Sequence, residues 1–584
     1  MYSFPHFDDN IQALKEMQPE FHNGLMEPAP DLANIMGRLV DGAHGIDWKL
    51  ADGELLFGDT PPDDFYKDRT MPDNDKRSAT FMVGCGLGYG ILSFLQNTEE
   101  HHRVIVIEPD KAQLLGALCW LDLTHYISSG RLQFAPPTGD SLNITIARNA
   151  PMAVFGQLQC YGDLSGERID PMTYGSLLYE IHEKIKLAAL EMQSVHMSHD
   201  GMINHEMHNV TTAMESGSLL PAEGKLAGCP VVLLGAGPSL KKSARTIANM
   251  ADKALLITAY QTLPTLLPLG IKPHICLALD YTEHFLQAAA NIPPAATKDI
   301  PLVYSAAVHP EALRLWQGPK IPFWAFGGMG TFVMSKQDLI MRTGNNVSVA
   351  MYRLMMFMGA SEILLAGQDL AWKGEQSHLE GHHAQITPDV LETLGLTTEN
   401  TEGEKIFTTG SFMSARLYLE QSIEVSNIPT TNIYDGGLFI AGANTLEPDE
   451  FDADAFMKGS KFSPKKFAGI IKKCTSVKKK HQKINSPNKQ HWITFTQALQ
   501  KAVAFEQAEK PLYPIVNILA HVLRADALYS PILLKELQLL ECNIPQTVDE
   551  LKTVSTLIFQ KITAYDQVMG IEPVDPTFAQ HTTH

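Results

Sequence analysis

The stretch with the most evident potential for chemistry is Pro230-Val231-Val232-Leu233-Leu234-Gly235-Ala236-Gly237-Pro238-Ser239-Leu240. Its apolar run enters two glycines, and Pro238-Ser239 opens a polar, helix-permissive segment from Lys241 to Met250. That order predicts a strand, a tight turn and a helix start. Gly235 and Gly237 would let a ligand approach the backbone, and Pro238 suits a first helical turn. The free N–H groups and positive dipole end of such a turn favour phosphate. The same pattern also simply joins strand to helix in α/β domains, and it is neither G-x-G-x-x-G nor a P-loop. A second glycine-polar helix start is Gly344-Asn345-Asn346-Val347-Ser348. A third candidate, Gly367-Gln368-Asp369-Leu370-Ala371-Trp372, leads into a polar loop with Glu375, His378, Glu380, His382 and His383. Imidazoles and carboxylates can hold a metal, but no third ligand has regular spacing, so the histidines read as a solvated or substrate-facing group and no metal site is expected.

The elements that must carry these residues follow from the alternation that begins at Gly228. Apolar runs near 231–234, 255–258, 275–279, 302–304, 323–325 and 363–366 are separated by helical patterns. Such alternation predicts an α/β domain with a doubly wound parallel sheet and ligands at the carboxyl ends of its strands. The polar residues at those ends are Ser239, Tyr260 with Gln261, Asp280, Ser305, and Gln368 with Asp369. The helix that Asn346 and Ser348 would open places Met351, Leu354, Met355 and Met358 at helical spacing, which reads as core.

Upstream, Gly84, Gly86 and Gly88 follow one apolar run, and Glu108 ends the next, Val104-Ile105-Val106-Ile107. This is a Rossmann-type βαβ start. It suits either an S-adenosylmethionine or dinucleotide site, or a turn retained for packing. Residues 1 to about 76 read as helical, then loop-rich. Tyr174 to about Thr212 carries a long helical pattern through Leu177, Ile181, Ile185 and Leu190. Three regions are expected: a Rossmann-like domain with flanking helices at 1–225, a central catalytic domain at 226–445 and an α-helical domain at 446–584. In the last, helical patterns span about 489–509, 513–528, 531–541 and 548–569, and the end at His581–His584 is expected to fray. Lys458 to Lys483 holds ten lysines and no acid. That reads as a solvated face, or as a docking surface for an acidic protein or a membrane surface.

A formal charge of −19 argues against a nucleic-acid partner. Seven scattered cysteines, none in C-x-x-C spacing, indicate reduced thiols rather than a disulfide framework or thiolate zinc site. No basic-then-apolar leader and no uninterrupted 18-residue apolar run occur, so a cytoplasmic protein without a transmembrane segment is expected.

Gly-Ala-Gly-Pro-Ser-Leu at 235–240, the strand end at Asp280, the helix start at Asn346 and Ser348, the stretch 359–372 and His378 together resemble the motility-associated factor (Maf) family, over about 225–445. Members of that family are flagellin glycosyltransferases, and their central domain is similar to bacterial sialyltransferases that use CMP-sugar donors. The resemblance implies transfer of a nonulosonic acid of pseudaminic, legionaminic or sialic type from its CMP ester to Ser/Thr hydroxyls of flagellin, in support of flagellum assembly and motility. Carried over by position, Gly237 and Ser239 would contact the donor phosphate, with Gly235 and Pro238 also donor-binding. Tyr260, Gln261, Asp280, Asn346, Ser348 and Gln368 would line the nucleotide and sugar. Sialyltransferases have Asn where Asp280 stands and Thr-Ser-Gly at 346–348, and their general-base His precedes a later helix, where this chain has Thr408-Thr409-Gly410-Ser411. The base role or an acceptor-orienting contact therefore passes to His378 or His382, with Asp280 and Asp369 positioning donor hydroxyls or the acceptor. A monophosphate leaving group needs little charge neutralisation, so no obligatory cofactor or metal is expected beyond the CMP-sugar itself. The other readings are an S-adenosylmethionine-dependent methyltransferase and a pterin diphosphokinase-like nucleotide-binding protein.

Overall fold

In a computed structural model, which describes residues 6–330, 334, 336–344, 346–374, 376–382, 395–479, 489–526 and 529–569, every apolar run of the central region becomes a strand. Taking strands in chain order, β1 (Leu39–Gly42) and β2 (Gly45–Trp48) form an antiparallel hairpin. Next come β3 (Ser78–Val83), β4 (His102–Ile107), β5 (Leu132–Phe134) and β6 (Gln157–Gly162), a parallel sheet in the order β5-β4-β3-β6. The central strands are β7 (Pro230–Leu234), β8 (Leu255–Ala259), β9 (Ile275–Ala278), β10 (Leu302–Ser305), β11 (Lys320–Ala325), β12 (Ile340–Met341) and β13 (Glu362–Ala366). After a hairpin of β14 (Gly395–Glu399) and β15 (Lys405–Thr409), β16 (Thr430–Ile433) and β17 (Asn444–Leu446) complete a nine-stranded sheet of order β12-β11-β10-β9-β8-β7-β13-β16-β17.

All neighbours in that sheet are parallel, and β7 pairs with β13 from Pro230 opposite Glu362 to Leu234 opposite Ala366. The strand order reverses between those two strands. That makes the crevice above them the place where an open α/β sheet binds its ligand. Val231 and Leu233 enter one core layer while Val232 and Leu234 enter the other, so both faces of β7 are buried and its sequence is a continuous apolar run. The short strands β12, β16 and β17 escape sequence reasoning: β12 has two residues, and Thr430-Thr431-Asn432-Ile433 carries three polar side chains and is ordered by pairing with β13 on one side and β17 on the other.

Helix α1 (Pro171–Glu215) begins on Asp170, whose side chain accepts from the Thr173 N–H, and runs about 68 Å at 1.5 Å per residue. Its first half packs Tyr174, Leu177, Ile181 and Ile185 against β3 and β4. Its second half buries Ile203, Val210 and Ala213 among the C-terminal helices α6 (Lys489–Gln507), α7 (Tyr513–Ala525), α8 (Leu534–Cys542) and α9 (Val548–Met569). Three helices matter for the site: α2 (Leu240–Ala248), α3 (Val347–Met358) and α4 (Gly410–Ser426). Asn346 caps α3 by accepting from the Ser348 N–H at 2.8 Å, and Gly359 ends it at φ +81°. Met351, Met355 and Met358 are fully buried as core, as their spacing predicts.

Helix α5 (Pro464–Thr475) anchors Phe467, Ile471 and Cys474 in the central core and leaves Lys465, Lys466, Lys472 and Lys473 in solvent. Lys479 departs from the reading of this stretch as a solvated basic face. Its ammonium is buried against Asp338 at 2.6 Å and also donates to the Ala213 carbonyl. Lys480 to Lys483 and His581–His584 lie outside the described residues. All seven cysteines are free thiols, and no helix among the described residues is long and apolar enough to cross a membrane.

Candidate functional site

The glycine turn after β3 is filled by the chain itself. A Cβ on Gly84 would meet Tyr174 and Asp163, one on Gly86 would strike the Ser165 hydroxyl at 2.6 Å, and one on Gly88 would meet Leu121 at 2.8 Å. Glu108, read as a ribose ligand, is instead bonded inward. Its carboxylate accepts from the N–H groups of Cys85 (2.8 Å) and Asp110 (2.9 Å) and from the Tyr174 hydroxyl. Burial pushes that carboxyl up to about 7. A side chain at Gly86 or Gly88 would collide with the chain's own packing.

The central crevice does hold a cavity, of about 200 Å³, at the β7/β13 switch point. It collects residues from four strand ends and two helix starts: Gly235 and Gly237 after β7, Gln261 after β8, Asp280 after β9, Gln368 and Asp369 after β13, Asn346 to Ser348 at α3, and Phe412 at α4. Within it the two glycines also make room for the chain itself. A Cβ on Gly235 would lie 2.2 Å from the Gly367 carbonyl, and one on Gly237 would lie 2.5 Å from the Asp369 carboxyl. Their missing side chains admit the β13 turn, and both residues also line the cavity.

Asp369 consequently occupies the N-terminus of α2. It accepts from the Ser239 N–H at 2.9 Å, and the Ser239 hydroxyl donates to its other oxygen. The chain has supplied its own anion to the helix start where a phosphate is expected, and the helix dipole favours it there. Burial pushes the Asp369 carboxyl up to about 6, with Asp435 adding to the rise and the two Ser239 bonds opposing it. The Gly237 N–H is also taken, by the Gly367 carbonyl at 2.9 Å. Ser239 is buried behind this pair, and neither it nor Pro238 lines the cavity. The start of α3 lines the cavity through Asn346, Val347 and Ser348, and that of α4 through Phe412.

His378 and His382 share a loop that the Leu379 N–H clasps onto the β7 turn, at 2.8 Å from the Ala236 carbonyl. Four residues apart on this loop, their rings stack 4.4 Å apart at 8°. Ser377 lies 3.0 Å from His378 Nδ1, and Phe412 meets the same ring edge-on. His383 and Glu375 lie outside the described residues, and no group of three metal-ligating side chains occurs among the described ones. Asp280 lines the cavity with one oxygen committed to its own turn, accepting from the Thr282 N–H at 2.8 Å.

Tyr260 is placed elsewhere than sequence position suggests. The residue is buried in an apolar cluster between Phe285 and Trp316, and its hydroxyl reaches the Ala312 carbonyl. The 3₁₀ turn over Tyr260–Thr262 rotates successive side chains to different sides, so Gln261 and Thr262 face the cavity in its stead. Sequence reasoning missed Ser377 and Phe412. The only signal for the second is Thr409, whose side chain caps α4 by accepting from the Phe412 N–H.

Residues 204–375 match the family model described as 6-hydroxymethylpterin diphosphokinase MptE-like. No curated protein matches the sequence. Among solved structures, the chain is similar to a MAf glycosyltransferase from Magnetospirillum magneticum AMB-1, with 15% identity, all of both chains covered and a TM-score of 0.65. The α/β architecture with its helical C-terminal region is therefore that of a Maf glycosyltransferase from end to end, and the resemblance carried by the motifs holds at the level of fold.

Proposed function

We propose that this chain, having the fold of a Maf glycosyltransferase, is itself a glycosyltransferase that moves a nonulosonic acid from a CMP donor to a Ser/Thr hydroxyl of flagellin. The observation that carries the proposal is the switch-point cavity, where a stacked histidine pair faces two carboxylates and an open helix N-terminus. The donor phosphate sits at the start of α3, because Asp369 already fills the start of α2. Gly235 and Gly237 then shape the floor, and Ser239 acts through Asp369.

In the reaction, the acceptor oxygen bonds to the anomeric carbon while the bond from that carbon to the phosphate oxygen breaks. The electron pair leaves with CMP, and the hydroxyl proton passes to His378 or His382. The stacked rings hold two imidazoles side by side in the cavity, either of which can take the proton. The dipole of α3 stabilises the leaving phosphate without a metal, and transfer is expected to survive exhaustive chelation.

The diphosphokinase description of the matched family supports a second reading, a nucleotide-dependent diphosphoryl transfer. Such a reaction calls for cations around a polyphosphate. Among the described residues lining the cavity there is no Lys or Arg, and there are two aspartates, which favours the monophosphate donor.

The deciding experiment measures the intact mass of flagellin coexpressed with the wild type, His378→Ala and His382→Ala, together with CMP affinity by calorimetry. The expected result is a sugar mass shift with the wild type, lost in at least one histidine variant that keeps its CMP affinity within about threefold. Wild-type glycosylation by both variants would remove the histidines from the mechanism. Absence of any mass shift and of CMP binding in the wild type would refute the proposed reaction.

A further inference from the structure

A second cavity, of about 560 Å³, opens at the opposite edge of the central sheet from the candidate site. It is bounded by the turns that lead into β8, β9, β10 and β11, through Asp252, His274, Pro301 and Pro319, and by one side of α5. Those are the amino ends of the strands, about 13–20 Å from the carboxyl ends at 3.3 Å per residue of strand, so an occupant here leaves the switch-point cavity open. Along α5 the lining residues Pro464, Ala468, Ile471 and Thr475 recur at helical spacing, which makes the opening a groove about 16 Å long beside that helix.

The groove is preformed and apolar within. Pro273 and Pro301 are buried in its walls, and Phe467 and Ile471 enter from α5. Proline fixes its own backbone and carries no N–H, so these walls need little ordering when a partner arrives. His274 lies against Phe462 and Phe467, with ring centroids 5.0 and 6.3 Å away, and its Nδ1 accepts from the Leu256 N–H at 3.0 Å. Burial lowers its pKa to about 4, which leaves the interior uncharged at neutral pH.

The rim is cationic. Segments 251–253, 272–274, 298–301 and 319–320, together with α5, carry eight lysines and two aspartates in a chain whose formal charge is −19. Lys272 meets Asp299 at 4.0 Å, while Lys465, Lys472 and Lys473 stand in solvent on α5. Such an excess of one sign around an apolar opening sets the charge of what covers it. Shape selects a protein over a bilayer. Among the described residues no large exposed apolar side chain lies on α5 or on these turns, so the apolar surface is recessed and is reached by a protruding side chain.

We infer that this groove is a docking site for an acidic amphipathic helix of a protein partner, laid beside α5 with its apolar side chains in the groove and its carboxylates on the flanking lysines. Ala468 and Gly469 are exposed and small, and a Cβ on Gly469 would meet nothing within 4 Å, so a second helix can approach α5 closely.

The test is fluorescence anisotropy of a labelled peptide of about 18 residues, five helical turns, with leucine on one face and glutamate on the other. It is titrated with the full chain as wild type, as Ala468→Trp and as Lys465→Glu with Lys472→Glu, and circular dichroism checks that each variant folds. Because Ala468 is exposed, tryptophan there fills the groove and not the core. The wild type is expected to bind the peptide, and binding to weaken about tenfold or more in each folded variant. The same loss is expected for control peptides in which lysine replaces glutamate or serine replaces leucine. Undiminished binding by Ala468→Trp, or of the serine peptide, would reduce the face to a non-specific cationic surface and overturn the site. Failure of the wild type to bind the acidic peptide overturns it as well, and sedimentation with phosphatidylserine vesicles in that case would make the face a membrane contact.

Discussion

Asp369→Asn isolates the free energy stored in a carboxyl buried on a helix start. In the native protein this group titrates at about 6, against 3.8 for an unperturbed Asp. Below about pH 4 it is protonated in both the folded and the unfolded chain and leaves stability unchanged. As pH rises from about 4 to 6 the unfolded chain releases the proton while the native one keeps it, so stability falls, and above 6 the loss is complete. At 1.36 kcal/mol per pH unit the loss is about 3 kcal/mol at pH 8 and about half of that at pH 5. Asn carries no such dependence. Its amide oxygen can accept from the Ser239 N–H and its amide nitrogen can donate to the Ser239 hydroxyl, so the cap survives. Thermal unfolding of the wild type and the variant is expected to show Asp369→Asn more stable by about 3 kcal/mol at pH 8, roughly 6–12 °C for a domain of this size, with the gap halved at pH 5. Flagellin modification by the stabilised variant is expected to fall, because a charge held against its own solvation preference is characteristic of a working site. A stability gap that does not change with pH, or a variant no more stable than the wild type at pH 8, would refute the reasoning.

Other consequences follow from packing and charge. Gly237→Ala drives a methyl into the Asp369 carboxyl at 2.5 Å, with an expected loss of about 1–3 kcal/mol by urea denaturation; an unchanged midpoint would mean that the β13 turn gives way freely. Lys479→Met leaves Asp338 buried without its cation, and a loss of about 3–5 kcal/mol is expected, whereas the double change Lys479→Met with Asp338→Leu should recover most of it. Lys465→Glu with Lys466→Glu reverses charge on the exposed face of α5. Association with flagellin at low salt should weaken while CMP affinity holds, and unchanged association would make this face a solvated one only.

The sequence determined a good deal by itself, because the information was local. Continuous apolar runs specify strands buried on both faces, and the intervening helical patterns force parallel connections, so the doubly wound sheet and the crowding of Gly235, Gln261, Asp280 and Gln368 at its carboxyl edge were legible from spacing. Asn346 and Gly359 announced both ends of α3, since cap chemistry acts within a few residues. What tertiary structure decided was which of these groups face each other. Ser239 and Asp369 stand 130 positions apart, and only the adjacency of β7 and β13 brings the carboxylate onto the start of α2 as an internal cap. The inward turn of Glu108 depends likewise on Tyr174 arriving from the first turns of α1, and that of Tyr260 on a 3₁₀ turn packed against Trp316. A residue type and its distance along the chain fix which strand end it occupies; which way its side chain turns there is settled by the neighbours that compete for the same space.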